Sequence, residues 1–182
     1  MKAITILEPW ASLIACGAKK IETRSWATKY RGKIAIHTGK SDTYISNCDW
    51  NKKVFSDPFL SALKLLHRCR ENGDLSSIEF NFGKVIAVAD LVDCYYIVYH
   101  PGTNIDIAKH INIGAESMTN DKHDPNFSKY IVPSEQELSF GDWTPGRYAW
   151  ILENVRRIDP VPAKGQQRIW NWEGNISCSH QS

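Results

Sequence analysis

Apolar and polar positions fall in short blocks along this chain, and the blocks predict more strands than helices. Lys2–Leu7 alternates and is β-rich, which reads as a strand. In "EPWASLIACG", Pro9 suits the first turn of a helix, Trp10, Leu13 and Ile14 recur at helical spacing, and Gly17 suits the position after the last turn. Pro9–Cys16 is therefore a short helix. "KIETRSW", Lys20–Trp26, and "GKIAIHTG" read as two strands separated by a turn near "KYRG". "SDPFLSALKLLHRCRENG" is a helix signal, with Ser56 or Asp57 as cap, Pro58 early, Leu60, Leu63, Leu66 and Cys69 or Arg70 on one face, and Gly73 as the stop. "GKVIAVADLVDCYYIVYH" is long, β-branched and aromatic, one long strand or two bent ones. His100–Pro145 is polar and aperiodic, too long for a plain connection. It reads as a disordered insertion or a lid, with Pro101–Trp143 over the mouth of a cleft. "GRYAWILENVRRI" and "QQRIWNWEG" return to strand, and the final "ISCSHQS" reads as a frayed tail. About six strands and two helices, out of simple βαβ order, predict an α+β, mainly β fold: a small β-barrel with flanking short helices.

Composition narrows the class. The chain has 182 residues, 42% hydrophobic and 23% charged, ordinary for one globular domain. Five cysteines, none close to another in sequence, form neither a disulfide framework nor a zinc pattern, and read as reduced thiols of a cytoplasmic protein. Neither a signal-peptide pattern nor a run near 18 apolar residues occurs, so no membrane partner is expected. The net charge of +2 is uneven: residues 1–40 hold eight Lys or Arg against Glu8 and Glu22, and the remainder is net negative. Such asymmetry suits a polyanionic partner or, equally, solvated faces. Dinucleotide, phosphate-loop, metalloprotease and nucleophile-elbow motifs are all missing from the sequence.

The basic block has a dense centre, "GAKKIETRSW". Together with "PWASLI" before it and "YRGKIAIHTGK" after it, it resembles the ASCH domain, a relative of the PUA fold. The family marker Gly-x-Lys-x-x-Glu-x-Arg is matched by Gly17, Lys19, Glu22 and Arg24. "GKVIAVADLVDC" and "PGRYAWILENVRRIDPVPAKGQQRIW", down to Trp170, also resemble the family. The likeness covers residues 1–40, 83–94 and 145–170 and leaves out 41–80 and 100–140, so it implies one PUA-like domain with insertions at about 41–80 and 100–143. It also implies a cleft beside the marker and a role in binding RNA, single-stranded nucleic acid or a modified nucleoside. The family further contains acetylcytidine amidohydrolases and members with ribonuclease activity, which makes a hydrolase the alternative. The amidohydrolases use a lysine, matched by Lys19, and a threonine whose position holds Glu22. That departure removes the hydroxyl nucleophile and leaves Glu22 as a base. Their glutamate from elsewhere in the chain has no counterpart that the sequence identifies.

The residue types in the marker suit such a ligand. Residues two apart on a strand share a face, so Glu22 and Arg24 line up with Lys20 and Trp26, while Lys19 can turn in from the helix–strand junction. Arg24 offers a rigid fork for phosphate or a base edge, and Glu22 can orient it or accept an exocyclic amino proton. Trp10 and Trp26 offer stacking faces. Lys19 and Glu22 are thus the candidate catalytic pair. Lys20, Arg24, Trp10, Trp26, His37, Arg147 and Tyr148 are candidate ligand contacts, the last two by fold analogy. Each has a plainer reading. Glu22 and Arg24 also fit an ion pair that braces the barrel. Trp10, at helical spacing, fits the core, as do Trp150 and Trp170. His37 ends an apolar strand and fits a satisfied rim histidine. Ser12 has no visible base. His100, His110 and His123 lack metal-ligand spacing, and neither metal nor cofactor is expected.

Overall fold

A computed structural model describes residues 1–46, 80–99, 106–110, 130–131 and 133–174. The elements run β1 (Lys2–Ile6), α1 (Trp10–Ala15), β2 (Ile21–Arg24), β3 (Gly32–Thr38), α2 (Thr43–Ser46), β4 (Lys84–Tyr99), β5 (Asp106–His110), β6 (Tyr130–Ile131), α3 (Glu135–Phe140), β7 (Tyr148–Pro162) and β8 (Ile169–Asn171). The expected helix over 56–73, the tail, and His100 and His123 lie outside the described residues.

The fold is mainly β, a curled half-barrel of PUA-like form with short flanking helices. Its strands follow the order β2-β7-β4-β3-β1-β8. β1 and β3 are parallel, and the other pairs are antiparallel. The long apolar run is one continuous strand, β4. Its ladder with β7 slips between Val85 and Ala87, between Val88 and Asp90, and between Leu91 and Asp93. Each slip adds local twist, and three in one ladder curl the sheet.

The concave face is filled from α1. Ala11, Ile14 and Ala15 enter a cluster with Ile34, Ile36, Ala87, Ala89, Leu91, Trp150 and Leu152. Trp150 and Trp170 are buried, in keeping with their expected place in the core. Gly17 ends α1 at φ +79°, a left-handed turn that glycine adopts without strain. Its amide donates to the Ile14 carbonyl at 2.8 Å, and the Lys19 amide then returns to Leu13 at 3.0 Å. This turn feeds the chain into β2 with Lys19 pointing inward.

β2 and β8 are the two ends of the sheet path and do not pair. Arg24 bridges this seam. Its Nη2 donates to the Thr5 carbonyl of β1 at 2.8 Å, one residue past the last β1–β8 pair, Ile4 with Ile169. Arg168, just before β8, places its guanidinium 5.7 Å from the Trp26 ring centroid, just after β2.

The 100–143 region departs from its aperiodic reading. Among its described residues, β5 pairs with Tyr95–Tyr99 of β4, β6 pairs with β5, and Glu135–Phe140 is helical. The helix forms because Ser134 caps it, accepting from the Glu137 amide at 3.2 Å, and because Phe140 is buried. Six residues are too few for helical periodicity to show in sequence.

The seam bond makes a direct expectation. Arg24→Met removes a charge-assisted hydrogen bond and one side of the Glu22 pair, so urea unfolding should show a loss of about 1.5–3 kcal/mol. Arg24→Lys restores the charge but cannot span Glu22 and Thr5 together, and should recover only part of that loss.

Candidate functional site

A cleft of about 330 Å³ opens between the start of α1, β2 and the segment joining α3 to β7, lined by Leu7, Trp10, Glu22, Thr23, Ser139, Phe140, Gly141, Asp142 and Arg147. Trp10 packs one side against the core and turns another to the cleft.

Glu22 is the carboxylate of the marker that reaches the cleft. Its Oε1 lies 3.1 Å from Arg24 Nε and its Oε2 lies 3.6 Å from Lys19 Nζ. Lys19 is 1% exposed, and its ammonium also donates to the Ile21 carbonyl. A buried ammonium needs several acceptors at once, and this junction supplies a carbonyl and a carboxylate. Lys19 therefore stands behind Glu22 and not in the cleft wall. Arg24 lies on the other side of Glu22 and leans away toward the seam.

The opposite wall is anchored by Glu137. Its carboxylate accepts from the Lys20 amide at 2.5 Å and the Ile21 amide at 3.3 Å, the two amides that lead into β2. Burial pushes the Glu137 carboxyl up, opposed by the Lys19 charge and these two amides. The Glu137 carbonyl takes the Trp143 indole N–H at 2.9 Å. Gly141 follows, where a Cβ would stand 2.9 Å from the Trp143 ring nitrogen and 3.1 Å from the Thr23 methyl, so only glycine lets the wall approach β2 this closely. Asp142 then accepts from the Thr144 hydroxyl and amide, which hold its carboxyl below the ordinary value. Arg147 pairs with it at 3.3 Å and donates from Nε to its carbonyl at 3.1 Å.

Of the residues singled out from sequence, the cleft brings together Glu22, Trp10 and Arg147, with Lys19 and Arg24 directly behind. Lys20 offers its amide to Glu137 while its side chain is exposed. Trp26 packs edge-on to Trp150 at 4.6 Å. Tyr148 lies against Tyr96 at 5.3 Å. His37 is on β3, outside the cleft lining. Its Nε2 meets the Ala163 carbonyl at 3.2 Å, its Nδ1 is buried without a partner, and burial pushes its pKa down. Sequence reading missed Glu137, Thr23, Ser139 and Asp142. The spacing Ser134-x-x-Glu137 carries a capping-box signal that could have flagged the helix. It would not have revealed that the carboxylate turns to β2.

Ser12 does have an acidic neighbour, Glu8, whose carboxylate accepts from the Ser12 hydroxyl at 2.9 Å and the Ser12 amide at 3.0 Å. Burial pushes the Glu8 pKa up to about 7. Among the described residues, no cluster of three His, Cys, Asp or Glu side chains could hold a metal ion, and no helix is long and apolar enough to cross a membrane.

The ASCH domain model matches residues 4–162. The chain belongs to the ASCH family. Activating signal cointegrator 1 of Homo sapiens is 28% identical to this ASCH chain over 92 residues, and that of Mus musculus 30% identical over 93. Each match covers 50% of this chain but only 14% of the relative's length.

Two outcomes follow from these carboxylates. Glu8 is raised above its ordinary 4.5 to about 7, so its stability contribution is fully present below pH 4.5 and is lost as pH rises through 7. Glu8→Gln should match the parent near pH 4 and exceed it at pH 8 by about 3 kcal/mol, read from denaturant midpoints at the two pH values. Glu137→Ala leaves the Lys20 and Ile21 amides unpaired, and should cost about 1–3 kcal/mol for the buried Ile21 amide and less for the partly buried Lys20 amide. Faster hydrogen exchange at Lys20 and Ile21 is the local readout.

Proposed function

We propose that this ASCH domain binds a nucleotide of RNA or other single-stranded nucleic acid, or a modified nucleoside, with the base in the cleft beside Glu22. The observation that carries this reading is the cleft itself. It is at the small end of ligand pockets, room for one base and sugar and not for a duplex. Its polar groups suit a base edge. Glu22, backed by two cations, accepts an exocyclic amino proton, Arg147 presents guanidinium donors, and Trp10 supplies a flat apolar wall.

Binding ranks above hydrolysis because of Lys19. The family's amidohydrolases use this position, but here its ammonium is buried behind Glu22 and engaged with a backbone carbonyl. The hydrolase reading keeps Glu22 as the base, since its carboxylate is the part of the pair that reaches the cleft.

Calorimetric titration with cytidine, N4-acetylcytidine and short single-stranded RNA tests the reading. Saturable binding is expected, with affinity for the RNA falling as salt rises. Glu22→Gln should weaken cytidine binding by about ten- to a hundredfold, since one well-placed base contact is worth about 1–3 kcal/mol. It should also lower thermal stability, because Lys19 loses a counter-charge. The two effects separate if Arg24→Met lowers stability as much but leaves cytidine affinity intact. No binding by any of the three ligands would sink the proposal. Release of acetate from acetylcytidine, read by mass, would move the protein to the hydrolase reading.

A further inference from the structure

Arg24 and Arg168 approach the seam of the barrel from opposite ends of the sheet. Arg24 leaves β2 beside Glu22 and crosses the open seam to the Thr5 carbonyl. Arg168 arrives from the other end of the sheet. The β1–β8 ladder runs Lys2 with Asn171, Ala3 with Trp170 and Ile4 with Ile169, so Arg168 falls at the step that would face Thr5. It does not pair there, because its backbone turns into the left-handed region at φ 59°. A non-glycine residue in that region stores about 1–3 kcal/mol of strain. The turn directs the exposed Arg168 side chain over the Trp26 ring, whose residue follows Arg24 by two. The loop before it is tied to the same strand, since the Thr5 hydroxyl donates to the Gln166 carbonyl at 3.0 Å.

One guanidinium thus holds the Thr5 carbonyl and a second stands over Trp26, two residues on from Arg24, and among the described residues no carboxylate pairs with Arg168. Arg24 keeps one nitrogen, Nε, buried beside Glu22 and without a hydrogen bond, while about a quarter of its side chain stays exposed. The seam also touches the cleft. Glu22, which Arg24 contacts, lines the cleft, as does Leu7, which lies just beyond β1.

We propose that the seam is a phosphate subsite, in which Arg24 and Arg168 together hold the phosphate of the nucleotide whose base occupies the cleft. This rests on the cleft reading above and sharpens it: the preferred ligand is a phosphorylated nucleotide or a nucleotide within a strand, not a free nucleoside. Guanidinium donors suit this task, because their planar fork matches phosphate oxygens and their charge does not titrate. The Trp26 ring holds the Arg168 guanidinium in place before the ligand arrives, which reduces the ordering that binding must impose.

Calorimetry with cytidine, cytidine 5′-monophosphate and cytidine 3′-monophosphate is the test. At least one monophosphate should bind about tenfold or more tighter than cytidine, the gain expected of a charge-assisted contact. Arg168→Gln should erase that gain, leave cytidine affinity unchanged and leave the melting temperature near that of the parent, because the side chain is exposed. Lys33→Gln removes an equal charge from β3 and should leave the gain intact. Equal affinity for cytidine and both monophosphates overturns the subsite while the cleft reading stands. A gain that survives Arg168→Gln, or is lost equally in Lys33→Gln, overturns it too, since the effect is then general charge. Monophosphate binding that needs Arg168, with cytidine too weak to detect, supports the subsite as the dominant contact of the same ligand. If none of the three binds, the subsite falls, and the cleft reading falls with it only if N4-acetylcytidine and single-stranded RNA also fail to bind.

Discussion

The structure depends on where the Lys19 ammonium goes. A buried cation with too few acceptors is among the most costly groups a core can hold, and this one is satisfied by the Ile21 carbonyl and the Glu22 carboxylate. Meeting that demand holds the α1–β2 junction in register and turns Glu22 toward the cleft. Arg24 completes the set from the far side of Glu22 and extends it across the seam to β1. The marker is therefore at once a brace for an open barrel and one wall of a polar cleft. The brace reading of Glu22 and Arg24 does not exclude a ligand role for Glu22, because the same carboxylate that pairs with Arg24 also lines the cleft.

The charge asymmetry looks different once the chain is folded. Part of the basic excess of residues 1–40 is met by carboxylates of β4, with Arg31 2.8 Å from Asp93 and Lys33 3.5 Å from Asp90. Lys19 and Arg24 share Glu22. Such partly exposed pairs add little stability, but they lower the field that a distant polyanion would feel.

The far end of the 100–143 region shows how a polar segment becomes part of a site. α3 has little core of its own beyond Phe140 and a share in the cluster of Ile21, Tyr95, Ile97, Trp143 and Ala149. Its position comes from hydrogen bonds: Glu137 to the two amides that lead into β2, and the Thr23 hydroxyl to the Asp142 amide at 3.1 Å. A helix of this length would not persist alone. It stands because β2 offers unpaired amides there, and the cleft is the gap left between the two.

By itself, the sequence determined the elements whose signals are local. The period of apolar residues set β1, β3, β4 and β7, Gly17 set the end of α1, and the spacing Gly17, Lys19, Glu22 and Arg24 marked the family. Tertiary structure decided which faces those residues present. Lys19 was expected to turn into the cleft, yet burial against Ile21 and Glu22 draws it behind the wall. His37 was set beside the marker as a candidate contact, yet β3 carries it under the loop at Ala163. Glu137 and Asp142 lie more than a hundred residues from the marker, and a hydrogen bond between such distant groups leaves no trace in local pattern. Nor does the seam, since the reach of Arg24 to Thr5 and of Arg168 to Trp26 follows from how far the sheet curls, which three slips in the β4–β7 ladder set and no single residue encodes.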